Sequence, residues 1–278
     1  MKKVDVSIII ASYRNASILK LCLDALLKNI SAKIKFEIIV VDIETQEEIR
    51  DLVLDEYPQV KFIPLVKNVG FAKALNSGIE HSSGRAILSL NPDIIVREGA
   101  VEKLYDHVIT HPKVGIAGPK LLNFNGSRQD SCFSFYTPTT VVYRRTVLGN
   151  SFFGKRSLKK FFIRPKGDQA QSIAGWLMGS ALMLRADNIK KIGLMDERYF
   201  MYFEDVDWCR RFWEAGFDIV YLPQAEMFHY HGKMSASNSI FSLLFNKMTF
   251  IHFLSGLKYF IKFGGWQVKR SKIKDIKN

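Results

Sequence analysis

Four short, uninterrupted apolar runs, each stopped by polar residues and followed by a helical or turn pattern, restrict this chain more than any other feature. Val4 to Ala11 is almost continuous in β-branched residues and stops at Ser12-Tyr13-Arg14-Asn15. Phe36 to Val41 stops at Asp42, Val60 to Leu65 runs into Asn68-Val69-Gly70, and Ile87 to Leu90 stops at Asn91-Pro92-Asp93. Continuous rather than alternating apolar sequence marks strands covered on both faces. Between these runs lie helical patterns: Ile18, Leu19, Leu21, Cys22, Leu26 and Leu27 within 17–29, an acidic stretch over 46–56, and a segment ending near Glu80. Strand and helix in alternation predict a parallel sheet with helices on its faces.

A sheet of that kind binds ligands outside the carboxyl ends of its strands. Ser12, Asp42, Asn68, Gly70, Asn91 and Asp93 all fall there. Pro92 cannot continue a central ladder. Two positions apart in extended chain, Asn91 and Asp93 turn to one side. A carboxylate and a carboxamide so placed suit a hard divalent cation and the phosphates it carries; the plain alternative is a helix cap in a turn. Asp42 can accept from a pyrimidine ring N–H or cap a turn, and Gly70 can admit a ligand or supply a positive φ. The first turn carries neither G-x-G-x-x-G nor G-x-x-x-x-G-K-[ST], which argues against dinucleotide and P-loop sites.

Val6-Ser7-Ile8-Ile9-Ile10-Ala11-Ser12-Tyr13, Val40-Val41-Asp42, Lys67-Asn68-Val69-Gly70-Phe71-Ala72 and Leu90-Asn91-Pro92-Asp93 together resemble the nucleotide half of family 2 glycosyltransferases. The Asn-Pro-Asp form resembles the branch that includes bacterial rhamnosyltransferases. The resemblance implies a GT-A fold: an α/β unit with a mixed, mainly parallel sheet flanked by helices, binding a nucleotide sugar and Mn2+ or Mg2+. After Asp42 the chain departs from the family's frequent Asn-x-Ser-x-Asp and reads Ile43-Glu44-Thr45-Gln46-Glu47, which bears on the fine contacts to the base.

The second half begins with a surface helix over 99–111 and a strand over 114–119, and the pattern then weakens from 121 to 172. The stretch 150–166 reads as a basic, aromatic loop, either docking on lipid head groups or an anionic acceptor, or packing its phenylalanines on the core. Glycines flank Trp176 in Ala174-Gly175-Trp176-Leu177-Met178-Gly179. Trp176 and Gly179 are therefore candidates to line the sugar or acceptor site, against the equally common role of a core tryptophan. Glu204-Asp205 lies among aromatic residues at a helix start, where anionic side chains are favoured. A carboxylate there can take the proton of a sugar hydroxyl, or the acids can simply cap the helix, Asp207 foremost. The resemblance assigns the base to Asp205 and acceptor orientation to Glu204. His229 and His231, flanking a tyrosine just past a strand, are metal candidates; the resemblance favours His229 as the third ligand beside Asp93 and Asn91, with His231 as the fallback.

From 239 to 263 a helical stretch is apolar on most sides, and the tail adds Lys269, Arg270, Lys272, Lys274 and Lys277 against Asp275. Basic amphipathic helices lie in membrane interfaces, so residues 236–278 read as an extension appended to a catalytic unit at 1–235, itself divided into a nucleotide half (1–119) and an acceptor half (120–235). A net charge of +13 implies an anionic partner. Scattered cysteines, a strand beginning at the amino terminus and the lack of a clean apolar span fit a cytoplasmic protein held at the inner membrane face. The expectation is an inverting glycosyltransferase using a deoxythymidine- or uridine-diphosphate sugar, with rhamnose or a hexose passed to a glycan acceptor, lipid-linked, and no nucleic acid as partner. A nucleotidyltransferase and a basic nucleic-acid-binding protein are the competing readings; the first wants a Gly-rich basic loop after the first strand, the second a charged groove.

Overall fold

A computed structural model of the chain describes residues 4–165, 167, 169–230, 247–264 and 268. In chain order the first half holds β1 (Val6–Ser12), α1 (Ala16–Asn29), β2 (Phe36–Asp42), α2 (Glu47–Asp51, continued as a π turn over Leu52–Glu56), β3 (Lys61–Pro64), α3 (Phe71–Glu80), β4 (Ala86–Leu90), β5 (Ile94–Val96), α4 (Ala100–Thr110) and β6 (Val114–Leu122). The second holds β7 (Cys132–Phe133), α5 (Pro138–Arg145), α6 (Phe152–Phe161), β8 (Ser172–Ala174), β9 (Trp176–Leu177), β10 (Ala181–Arg185), α7 (Ala186–Ile192), α8 (Glu204–Glu214), β11 (Asp218–His229) and α9 (Lys247–Lys262).

The main sheet runs β3-β2-β1-β4-β10-β6-β11-β5, with β8 also on β11. Its first four strands are parallel, as their continuous apolar sequence predicts. All seven residues of β1 are buried, and alternate side chains pass to opposite faces. Ile8 and Ile10 pack with Leu19, Leu23 and Leu26 of α1; Ile9 and Ala11 pack with Leu75 of α3. α1 starts where Asn15 accepts the Ile18 N–H at 3.0 Å, a side-chain cap one residue after the Arg14 turn.

β10 inserts antiparallel between β4 and β6, so the first and second halves of the chain share one sheet. Because Ala181 pairs with Leu90, the residues just before β10 meet those just after β4. β5 pairs antiparallel with the end of β11, His229 opposite Ile94. These two pairings bring the second half of the chain to the carboxyl rim of the first.

The stretch expected as a basic aromatic loop is folded. Thr137 caps α5 by accepting the Thr140 N–H, with Pro138 at the first helical position. Ser151 caps α6 by accepting the Gly154 N–H. Phe161 is buried, whereas Phe152 and Phe153 are exposed. α9 is packed on the body: Tyr259 is fully buried, the Ser255 hydroxyl donates to the Met201 carbonyl at 2.9 Å, and Lys262 donates to Asp196 at 2.7 Å and also to the buried Asp207. Asp207 accepts as well from Arg211 at 2.7 Å, so its work is structural. The basic tail and His231 lie outside the described residues.

Candidate active site

The rim begins at β1 and β2, where Ser12 and Asp42 stand in register. Both are fully buried. Neither the Ser12 hydroxyl nor either Asp42 carboxylate oxygen has a hydrogen-bond partner among the described residues. Buried polar groups are nearly always partnered, and this strand-end carboxylate can accept from a donor such as a base N–H. Burial pushes the Asp42 carboxyl up to about 6, against the weaker pull of nearby Ser12, Thr45 and the Gln46 N–H. Asn68 is turned inward on its own loop, accepting the Gly70 N–H at 3.0 Å. Gly70 has φ +85°, and a Cβ there would come within 2.4 Å of the Phe200 carbonyl oxygen. The close approach at Gly70 is thus made by the chain itself, reinforced by Phe71 N–H donating to Phe200 at 2.9 Å.

At the end of β4, the Asn91 N–H donates to the Ser180 carbonyl at 2.9 Å. Asn91 Oδ1 and Asp93 Oδ1 are buried without partners among the described residues. The Asp93 carbonyl accepts the Tyr230 N–H at 2.9 Å, which holds the end of β11 against it. His229 Nε2 lies 3.5 Å from Asp93 Oδ2. Its Nδ1 meets Gln129 Oε1 at 2.8 Å, while Gln129 Nε2 donates to the His229 carbonyl at 2.9 Å. Because Gln129 Oε1 can only accept, Nδ1 carries a proton toward it and Nε2 is the nitrogen turned to Asp93; such a partner orients the ring of a metal-binding histidine. Among the described residues no three His, Cys, Asp or Glu side chains group as a metal site. Asp93 and His229 supply two such donors and Asn91 an amide oxygen, a partial shell that diphosphate oxygens and water can complete, as hard cations prefer. The donor set fits Mn2+ or Mg2+.

From Ser180 the rim continues to the carboxylate pair. Gly179 N–H donates to Asp205 Oδ2 at 2.9 Å, and Val206 N–H to Asp205 Oδ1 at 2.8 Å. A Cβ on Gly179 would lie 3.0 Å from Asp205 Cβ, so glycine lets the backbone sit against the carboxylate. Gly179 therefore positions Asp205. Burial raises Asp205 to about 6, against the pull of the Gly179 and Val206 N–H groups. Burial, and after it the Asp205 charge, raises Glu204 well above the ordinary carboxylate range. Within this pair the two backbone N–H groups favour the charge on Asp205, and burial beside it disfavours a second charge on Glu204. Both follow Tyr202 and Phe203, which have φ of +68° and +69°, a region non-glycine residues seldom occupy.

Trp176, expected to line the sugar or acceptor site, is in the core. It stacks on Phe133 at 4.3 Å and Tyr136 at 5.5 Å, and its indole N–H donates to the Ser134 carbonyl at 3.0 Å. The neighbouring Gly175 is required because a Cβ would meet Phe135 N at 2.6 Å. Ser180 and Gln129 join the site without having been singled out in the sequence. Ser180 precedes a strand start that only the β4–β10 pairing reveals, and Gln129 is a hundred residues from the histidine it orients.

A curled, mainly parallel sheet whose carboxyl rim gathers the buried Asp42, the Asn91-Pro92-Asp93 turn and a buried acid pair is a GT-A fold. The description "Glycosyl transferase family 2" matches residues 7–162, and the chain belongs to that family. It is 28% identical over 188 residues to an N-acetylglucosaminyl-diphospho-decaprenol L-rhamnosyltransferase of Mycobacterium tuberculosis, covering 64% of this chain and 61% of that one. It is 25% identical over 291 residues to a low-salt glycan biosynthesis hexosyltransferase of Haloferax volcanii, covering 96% and 84%. Among solved structures it superposes on GalNAc-T7 with UDP, GalNAc and Mn2+ at a TM-score of 0.62 and 15% identity, over 82% of this chain and 44% of that one, a likeness of fold. The chain thus spans about three fifths of the mycobacterial relative's length.

Proposed function

We propose that the protein is an inverting, metal-dependent glycosyltransferase that moves rhamnose or a hexose from a nucleoside-diphosphate sugar to a glycan acceptor, lipid-linked, in cell-surface polysaccharide synthesis. One observation carries this reading. The unpartnered groups of Asp42, Asn91 and Asp93 and the Glu204–Asp205 pair belong to one connected rim, joined through Asn91 N–H to Ser180 and Gly179 N–H to Asp205. Asp42 accepts the ring N–H of the donor's base. Asp93, Asn91 and His229 would hold the divalent cation, whose charge would offset that developing on the departing diphosphate. Asp205 takes the proton of the acceptor hydroxyl as its oxygen bonds to the anomeric carbon. The bond from that carbon to the diphosphate breaks on the opposite face, so configuration inverts, and the nucleoside diphosphate leaves. Glu204, beside the base, orients the acceptor.

The relatives named above are a rhamnosyltransferase and a hexosyltransferase, which supports rhamnose or a hexose as the sugar, carried in this reading on deoxythymidine or uridine diphosphate. In this reading residues 1–235 are the catalytic unit and 236–278 an extension that rests on an anionic inner membrane face. Phe250, Phe253, Leu254, Leu257 and Ile261 are exposed at helical spacing along one side of α9, whose other side buries Gly256 and Tyr259. Among the described residues no helix is long and apolar enough to cross a membrane. Thermal-shift screening of nucleotide sugars with and without Mn2+ tests the assignment, since a ligand that binds only the folded state raises its melting temperature. A metal-dependent rise with one diphosphate sugar is expected; no rise with any of them, under conditions where duplex DNA gives one, refutes it.

A further inference from the structure

Residues 131–167 contain eight lysines and arginines and no aspartate or glutamate. The proposed reaction uses none of them. They are organised by α5 and α6 into a surface with two characters. Lys155, Lys159 and Arg164 line a groove of 540 Å³. Arg144 lines an adjoining groove of 430 Å³ that shares the Gly149-Asn150 turn and Phe162 with the first. Arg144 is fixed in place: its guanidinium lies 5.1 Å from the Phe161 ring centre and 5.6 Å from that of Tyr136, and it donates to the Tyr136 hydroxyl. Arg164 is shared with Asp130 at 3.1 Å, whereas Lys155 and Lys159 have no acidic partner among the described residues. Beside the groove, large apolar side chains face solvent: Val147 is 80% exposed, Leu148 54%, Phe152 73% and Phe153 72%. A soluble surface has no use for adjacent phenylalanines at that exposure, whereas aromatic and aliphatic tips ringed by cations are what an anionic bilayer interface attracts.

The position of this surface matters as much as its composition. Tyr136, at the foot of α5, packs on Phe203 at 5.1 Å, and α9 packs on the same ring through His252 at 5.3 Å and Tyr259 at 5.4 Å. Phe203 immediately precedes Glu204 and Asp205. The helical insert and the packed side of α9 therefore meet at the residue that introduces the carboxylate pair.

We propose that the α5–α6 insert is a docking element for an anionic phospholipid surface. Lys155 and Lys159, with Arg144 and Arg164 on the groove walls, take head-group phosphates, and Val147, Leu148, Phe152 and Phe153 enter the boundary with the acyl chains. This adds a second membrane contact beside that of the extension and so rests on the membrane reading above, but its test needs no enzyme activity. Full-length protein is co-sedimented with vesicles of phosphatidylcholine alone and mixed with phosphatidylglycerol. Binding to the mixed vesicles is expected to weaken about thirtyfold in Lys155→Gln/Lys159→Gln, the loss of two surface-facing cations, and at least tenfold in Phe152→Ser/Phe153→Ser. Both pairs are exposed, so melting temperature stays at the wild-type value. Inorganic pyrophosphate in excess is expected to leave most binding intact. If pyrophosphate abolishes it and the phenylalanine variant binds as wild type, the groove is a soluble-phosphate site and the proposal is wrong. Wild-type sedimentation of both variants, or duplex DNA binding that exceeds vesicle binding and ignores the phenylalanines, also overturns it. Nucleotide-sugar thermal shifts on the same variants keep the two readings separate: a protein that docks through these residues yet binds no diphosphate sugar keeps the docking element and loses the enzyme assignment.

Discussion

Replacing Asp42 by asparagine should improve one property of the protein and damage another. The carboxyl is fully buried, and its pKa stands at about 6 against an ordinary 3.8. At about 1.4 kcal/mol for each pH unit, ionising it inside the fold rather than in the open chain costs about 3 kcal/mol at neutral pH. Because the folded pKa is the higher one, this contribution favours the fold fully below pH 3.8 and is lost as pH rises through 6. In Asp42→Asn the pH dependence of unfolding free energy between pH 4 and 7 should therefore flatten by about that amount, measured by denaturant titration at each pH. At pH 7 the ligand-free variant should be no less stable than wild type, even though its amide is also buried. Nucleoside-diphosphate binding should move the other way. A hydrogen bond to a charged acceptor is worth about 1.5–3 kcal/mol, so calorimetry should find binding roughly 10- to 150-fold weaker. An unchanged pH slope together with unchanged nucleotide affinity would refute both the buried charge and its use in recognising the base.

Asp205→Asn should lower kcat by about 10²–10⁴ while leaving donor affinity within a few-fold; near-wild-type turnover removes the base from the scheme. In the wild type, kcat/KM should rise with pH through about 6, where Asp205 loses its proton, and flatten above; a profile already flat at pH 5 contradicts this. Gly179→Ala places a methyl 3.0 Å from Asp205 Cβ, so it should lower kcat with little change in the donor KM, and an equal change in both would point to a general loosening of the rim. Lys262→Met removes one of the cations on the buried Asp207 and should cost about 2–3 kcal/mol, less than a fully broken buried pair because Arg211 remains; an unchanged melting temperature would mean that α9 is held by its apolar contacts alone.

How much of this was legible before the structure depended on whether the signal was local. The parallel strands were, because continuous apolar runs must be covered on both faces, and Asp42 and Asn91-Pro92-Asp93 mark where they stop. The insertion of β10 between β4 and β6 was not, since strand order is decided by pairing across ninety residues. For the same reason the contact of Gly179 with Asp205, twenty-six residues on, could not be read from the sequence. α5 and α6 escaped because each is short and mixes cations with aromatics, so neither shows a clean apolar face; their caps at Thr137 and Ser151 were the available signs. Trp176 misled because an indole beside glycines suits a sugar platform and a core equally, and only its stacking on Phe133 and Tyr136 decides.

The local rules fail in one region, and the failures agree with one another. Four described non-glycine residues have positive φ: Arg14 after β1, Glu44 after β2, and Tyr202 and Phe203 before the acid pair. Each costs of order 1–3 kcal/mol and persists only where its surroundings impose it. At the first two, Arg14 and Glu44 pair across the gap at 2.8 Å, tying together the loops that leave Ser12 and Asp42. At the second two, Phe200 closes on Gly70 and Gly179 closes on Asp205. Ser12, Asp42, Asn91, Asp93 and Glu204 contribute buried atoms without partners along the same rim. A sequence selected for stability alone would relieve such costs one by one. Their concentration where the strands end, and where two halves of the chain meet, follows if a ligand supplies the missing partners. A base N–H at Asp42, a cation at Asn91 and Asp93, and an acceptor hydroxyl at Glu204 and Asp205 meet those needs together.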